Sequence, residues 1–289
     1  PDKLIDMNVW RTFVLQPKLM KNIFLLLCLT VLVHPMFSQE ADEVQLNVHY
    51  LARFQLFYED SGKLFEDEKV LDIGKRSSSF YSLWNTRRDE IKDSIRSRGG
   101  SYSDVMNALE KSNYPLSKQN YAIYKNYPQK GILTYTDKLY KQFRYKETME
   151  TPVWRMEPGD TLIAGYPCKK ARTLFREKEW TVWFTLHIPI SDGPWKLHGL
   201  PGLILKANDV QGYFSFDCIE IKNKKSQKVP LPKGKFIECS RQKLEEMHRL
   251  NAKDPHQYLE QFGISRTTAC DANGKPIVYK EKHAIFLEK

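Results

Sequence analysis

Apolar residues recur at every second position through Val44, Leu46, Val48, Tyr50, Ala52, Phe54, Leu56 and Tyr58. Successive side chains of a strand point to opposite faces, so this spacing predicts a long strand with one apolar face. Glu59-Asp60-Ser61-Gly62 ends it. Shorter strand patterns follow at 69–73 and 77–83. Asn85 or Thr86 then caps a helix running to about Ser97, with Asp89 at the reciprocal capping position and Gly99-Gly100 as the stop. Ser103 caps a second helix to Lys111. Residues 121–125, 132–136 and 142–146 read as a β-meander, with Pro128 and Gly131 in one turn. Met156-Glu157-Pro158-Gly159-Asp160 reads as a further turn. Strands are expected at 168–176, 180–186, 203–207 and 212–222, the last with Phe214, Phe216 and Cys218 on one face.

The C-terminal part changes period. Ser240 caps a helix carrying Leu244, Met247, His248 and Leu250 at helical spacing. Asp254-Pro255 opens another, with Tyr258, Leu259 and Phe262 on one side. Asn273-Gly274 marks a hairpin between 265–270 and 276–280. The pattern amounts to an α+β chain, mostly antiparallel β. A sheet of about ten strands tends to curl, so a single strongly curved sheet or half-barrel with helices packed on one side is expected. No linker or repeat divides it.

The centre of this pattern is Trp195-Lys196-Leu197-His198-Gly199-Leu200-Pro201-Gly202-Leu203-Ile204-Leu205. Pro201 and Gly202 suit the two central positions of a type II turn, the second of which needs φ > 0. With Gly199 they make the expected structural turn. Leu203-Ile204-Leu205 is a continuous apolar run, the mark of a strand covered on both faces. Asp192-Gly193-Pro194 is a second turn signal, so Trp195 and His198 lie on a constrained loop.

Gly199-Leu200-Pro201-Gly202-Leu203-Ile204 also spells the hexapeptide of the GLPGLI family of bacterial envelope proteins. Ala164-Gly165-Tyr166-Pro167-Cys168-Lys169-Lys170-Ala171, Trp180-Thr181-Val182-Trp183-Phe184-Thr185 and Gly212-Tyr213-Phe214-Ser215-Phe216 resemble that family as well, so the likeness is specific from about Leu162 to Ile221. It implies an exported protein of Gram-negative bacteria and a single GLPGLI-type domain over residues 39–289. An outer-membrane transport receptor is the partner it implies. It implies no reaction.

The start of the chain agrees with export. Residues 1–19 read as a non-native upstream extension, and Met20-Lys21 as the start. The apolar run from Ile23 to Val33 has the length of a signal-peptide core and is too short to span a bilayer. Residues 20–38 are therefore expected to be a signal peptide cut after Ser38, with no transmembrane segment left afterwards and a periplasmic or otherwise exported location. Cleavage lowers the formal charge of +10 by two. The excess favours anionic partners such as lipid headgroups, although basic residues spread along a chain are ordinarily a solvated surface. Nothing resembles a nucleic-acid-binding motif.

Cys168, Cys218, Cys239 and Cys270 remain after cleavage. Four thiols in an oxidising compartment suggest two disulfides with three connectivities. Cys168–Cys218 and Cys239–Cys270 are favoured, because the first pair flanks the central motif and the second brackets the C-terminal helices. No spacing matches a zinc site, and no cofactor or metal is expected.

Trp195, His198 and Trp183 are the candidate binding residues. His198 either works on a ligand or hydrogen-bonds a backbone carbonyl and pins its turn. Trp180 and Phe184 share one strand face and Trp183 takes the other, so the aromatics are either ordinary core or the wall of an apolar cleft. His248 and His256 are expected on the surface. The favoured reading is a non-enzymatic binder of a hydrophobic ligand (a lipid or peptide) or of an envelope protein. A hydrolase or thiol-dependent enzyme centred on His198, with Ser191, Asp192 and His187 nearby, is the alternative. A structural envelope component is a third.

Overall fold

The computed structural model describes residues 42–223, 227–264, 275 and 280–288. The expected signal peptide, most of the expected 265–280 hairpin, and Cys270 lie outside these residues. The alternating pattern that opens the chain forms β1 (Leu46–Phe54), whose Val48, Tyr50, Ala52 and Phe54 are all buried. The strand stops at Phe54. A short 3₁₀ turn over Tyr58–Asp60 follows, and Tyr58 is exposed.

The chain continues through β2 (Phe65–Ile73), β3 (Ser78–Ser82), α1 (Leu83–Arg96) and α2 (Tyr102–Lys111). The meander follows as β4 (Ala122–Lys125), β5 (Ile132–Lys138) and β6 (Gln142–Thr148). Next come β7 (Arg155–Ile163), β8 (Tyr166–Phe175), β9 (Lys178–Thr185), β10 (Leu203–Asp209) and β11 (Phe214–Lys222). The two-residue β12 (Ile237–Glu238), α3 (Arg241–Lys253) and α4 (Pro255–Glu260) complete the elements among the described residues.

Among the described residues, twelve strands form one open sheet in the order β12-β6-β5-β4-β3-β2-β1-β11-β10-β9-β8-β7. Every pairing is antiparallel except that of β12 with β6. β1 sits mid-sheet, bonded to β2 on one side and to β11, the last long strand, on the other. That single long-range pairing joins the two halves. Opposite Tyr50 and Ala52, the expected face of β11 places Cys218 and Phe216 in the core. Tyr50 then donates to the Ile204 carbonyl at 2.7 Å, tying β1 to β10.

Several local expectations are corrected. α1 starts three residues early because Ser82, the last residue of β3, is its cap and accepts from the Asn85 N–H. α2 is capped by Ser101, in a reciprocal box with Asp104, and not by Ser103. Residues 156–160 are not a turn but the bulged middle of β7, where register shifts between Glu157 and Asp160 and Gly159 takes φ 136°. β7 is an edge strand, where the missing N–H of Pro158 costs no ladder bond. Ser240 and Asp254 cap α3 and α4 as their sequence indicates.

The expected Cys168–Cys218 disulfide is not formed, and the expected Cys239–Cys270 pairing involves a residue outside the described ones. Among the described residues, Cys168, Cys218 and Cys239 are free thiols. Cys168 lies on β8 and Cys218 on β11, with β9 and β10 between them. Three strand spacings come to about 14 Å, well beyond the ~4.4–6.8 Å Cα separation of a bridge. Each thiol instead faces a carbonyl: Cys168 that of Tyr166, Cys218 that of Glu220 and Cys239 that of Arg144.

Candidate functional site

The expected central stretch does fill the core. Leu197, Leu203, Ile204 and Leu205 are fully buried, as a strand covered on both faces requires. The second cover is the loop ahead of it, whose Asp192 carbonyl accepts the Ile204 N–H at 3.0 Å. Lys125 of β4 clamps this loop. Its buried ammonium bonds to the Asp192 carboxylate and donates to the carbonyls of Gly193 (2.7 Å) and Leu197 (3.3 Å). Ser78 and the Gly193 N–H complete the Asp192 shell. Burial pushes the Lys125 amine pKa down, partly offset by Asp192.

Between the clamped ends, the Leu197 N–H closes a turn onto the Pro194 carbonyl at 3.1 Å. Trp195 holds φ 53° there, a conformation that a bulky residue reaches only under strain. Packing keeps it in place: the indole is wholly buried, 5.8 Å from Phe175 and 5.4 Å from Trp180 between ring centres. Lys196 is buried too. Its three ammonium protons meet the Tyr145 hydroxyl (3.0 Å), Glu147 (2.7 Å) and Glu288 (2.6 Å). Arg176 shares both carboxylates, at 3.4 Å and 3.7 Å.

The glycine turn is built otherwise than its sequence predicts. Gly199 takes φ +96°, whereas Gly202 does not enter the left-handed region, and 200–202 form a bend rather than a type II turn. Gly202 is required by space. A Cβ there would lie 2.0 Å from the Thr185 carbonyl oxygen, because Pro201-Gly202 passes directly over the end of β9.

His198 pins this bend. Its Nδ1 lies 2.9 Å from the Lys196 carbonyl and its Nε2 3.5 Å from the Thr151 hydroxyl, while its own carbonyl accepts the Trp154 indole N–H at 2.8 Å. Burial and nearby Lys125 lower the imidazole pKa. Ser191 accepts the Gly199 N–H, and Asp192 is committed to Lys125 and Ser78, so neither is hydrogen-bonded to His198. Trp183 lies elsewhere, on the other face of β9 between Lys170 (6.0 Å) and Lys206 (5.9 Å).

Trp195 lies in the wall of a cavity of about 550 Å³. One wall is a tyrosine ladder. Tyr135 and Tyr145 are direct partners in the β5–β6 register and stack at 4.9 Å and 12°. Tyr121, just ahead of β4, stacks on Tyr135 at 5.6 Å and 17°. Buried cations cover the ladder: Lys69, paired with Asp67 at 2.9 Å, lies 4.2 Å from the Tyr121 ring, and Lys196 lies 5.4 Å from that of Tyr135. α3 supplies Leu244 and His248, and residues 284–288 supply Ile285 and Leu287.

Two polar atoms of this wall have no hydrogen-bond partner among the described residues: the Tyr121 hydroxyl and the Trp195 indole nitrogen. A buried orphan of this kind in a native structure calls for a ligand, a water or a functional reason. Burial also raises the Tyr121 phenol pKa well above its ordinary value, so the group is a donor at neutral pH.

Of the three candidate binding residues, only Trp195 lines the cavity. His248 was expected on the surface. It is half-buried instead, 2.9 Å from Asp137 and edge-on to Phe286 at 6.2 Å. The ladder escaped the sequence because strand assignment alone does not reveal which tyrosines become cross-strand neighbours. Among the described residues, no group of three or more His, Cys, Asp or Glu is placed to hold a metal. Nor is any described helix long and apolar enough to cross a membrane.

Residues 120–206 are similar to a family described as "Protein of unknown function (Porph_ging)". The matched segment runs from the tyrosine ladder through the central loop into β10. No curated protein matches the chain. Among solved structures, two crystal forms of PNGF-II are similar. The P21 form has 15% identity and a TM-score of 0.47, over 72% of this chain and 34% of that one. The C2 form has 14% identity and a TM-score of 0.44, over 70% and 32%. This chain spans about a third of their length.

Proposed function

We propose that the protein is an exported, non-enzymatic binding protein of the GLPGLI type that takes a ligand with an apolar body into the cavity beside Trp195. The sheet curves into a half-barrel around that cavity, and an outer-membrane transport receptor is its envelope partner. The observation that carries the reading is the cavity itself. Its volume falls within the ~300–1,000 Å³ of small-molecule sites, and such sites combine apolar and aromatic walls with few polar groups. Strain at Trp195 supports it, since strained residues cluster at binding sites. The commitments of His198 favour binding over hydrolysis, because its Nδ1 is spent on a backbone carbonyl and the nearby acid on a lysine.

The test uses the neutral fluorophore N-phenyl-1-naphthylamine and the full chain. Its fluorescence is expected to rise on mixing. Ala252→Trp, on the cavity wall of α3, is expected to abolish that rise while circular dichroism and melting stay unchanged. Unaltered dye binding by a folded Ala252→Trp protein would overturn the reading.

A further inference from the structure

The cavity has a charge pattern as well as a shape. Its acidic wall residues all have partners: Glu288 is paired with Lys196, Glu245 with Arg249, and Asp137 is hydrogen-bonded to His248. Its exposed lysines are unpaired. Lys118, Lys138 and Lys280 line the opening, and none makes an ion pair among the described residues. The backbone carries two of them close to Tyr121. Lys118 precedes Tyr121 by three residues, and the side chain of Asn120 donates to the Lys138 carbonyl at 3.1 Å.

We infer that the ligand is a single-chain amphiphile with an anionic head, a carboxylate or a phosphate. The head lies among Lys118, Lys138 and Lys280 and accepts the Tyr121 hydroxyl proton. The chain runs along Tyr135 and Tyr145 toward Trp195. This rests on the binding reading above and adds the ligand class. Each part of the proposed ligand answers a feature of the wall. The aliphatic chain covers ring faces, the negative head compensates unpaired cations, and its oxygen satisfies a buried donor that otherwise has none. A cationic amphiphile would meet the same apolar wall but a repulsive rim, and would leave Tyr121 orphaned.

Displacement of bound N-phenyl-1-naphthylamine from the full chain tests this. Laurate, dodecyl phosphate, dodecanol and dodecyltrimethylammonium are titrated below their micellar concentrations. At least one anion is expected to displace the dye at tenfold or lower concentration than dodecyltrimethylammonium, and comparing the two anions separates carboxylate from phosphate heads. K118E/K138E is expected to erase this preference with unchanged melting. Tyr121→Phe is expected to weaken the favoured anion about tenfold, the scale of one hydrogen bond to a charged group, while the fold keeps its stability because the hydroxyl has no partner among the described residues. Equal displacement by anions and cation would overturn the inference, as would a preference that survives K118E/K138E. Failure of all four amphiphiles to displace a dye that Ala252→Trp excludes would overturn the inference and leave the binding reading standing, whereas dye binding that Ala252→Trp leaves unaltered would overturn the binding reading beneath it.

Discussion

The Lys196 ammonium lies 2.6 Å from the Glu288 carboxylate, a residue 92 positions further along the chain. The pair joins the turn ahead of the Gly199–Ile204 hexapeptide to the segment that forms one cavity wall. Neither member stands alone: Glu147 and the Tyr145 hydroxyl complete the lysine, and Arg176 shares the acids.

Breaking such a buried pair from one side leaves a charge without compensation, at a cost of about 3–5 kcal/mol. Lys196→Met is therefore expected to lower the urea unfolding free energy by about 3 kcal/mol. K196M/E288L, which removes both charges, is expected to cost less than the sum of the two single variants. Strict additivity in that cycle would show that the contact carries no coupling.

Gly202→Ala is expected to destabilise by about 1–3 kcal/mol or more, through overpacking against the Thr185 carbonyl. Gly202→Asn separates close approach from backbone conformation. Asn tolerates positive φ better than Ala but is larger, so it is expected to be at least as damaging. An Asn variant more stable than the Ala variant, by thermal melting, would restore the positive-φ explanation.

Burial raises the Cys168 thiol pKa to about 11 and that of Cys218 to about 12. At pH 8 only about one molecule in a thousand, or fewer, carries either thiolate, and the thiolate is the nucleophile. Both cysteines are expected to resist iodoacetamide in the folded protein and to react fully after unfolding without reductant, as read by peptide mapping. Protection that persists in the unfolded, unreduced chain would reveal a bridge.

His198 links stability to pH. Its folded pKa lies below the ordinary 6.5, so between the two values the unfolded chain binds the proton more readily. The related stability is intact above 6.5 and falls as pH drops toward the folded value, by at most about 1.4 kcal/mol per pH unit. His198→Asn keeps a donor for the Lys196 carbonyl but does not titrate. It is expected to show a smaller fall in Tm between pH 7.5 and 5.5 than the parent, and an equal fall would remove His198 as the cause.

Much of the fold was legible residue by residue. The period-2 run placed β1, the meander placed β4 to β6, and Ser240 and Asp254 marked their helices. Trp195 stood out as a loop aromatic, and it reaches the cavity. The misses share one cause. A cap is ambiguous where a strand runs straight into a helix, as at Ser82. A Pro-Gly pair reads as a turn until a neighbouring strand is known to lie beneath it, as Thr185 lies beneath Gly202. Cys168 and Cys218 both belong to predicted strands, but two other strands separate them.

By itself the sequence determined the period of each element, most of its boundaries and the apolar face it presents, because these follow from side-chain alternation and local backbone preference. Only the tertiary structure decided the strand order, the reason for Gly202, the company of Lys196 and the stacking of Tyr121, Tyr135 and Tyr145. Those depend on partners dozens of residues apart, brought together once β1 pairs with both β2 and β11 and the register of β5 against β6 is set.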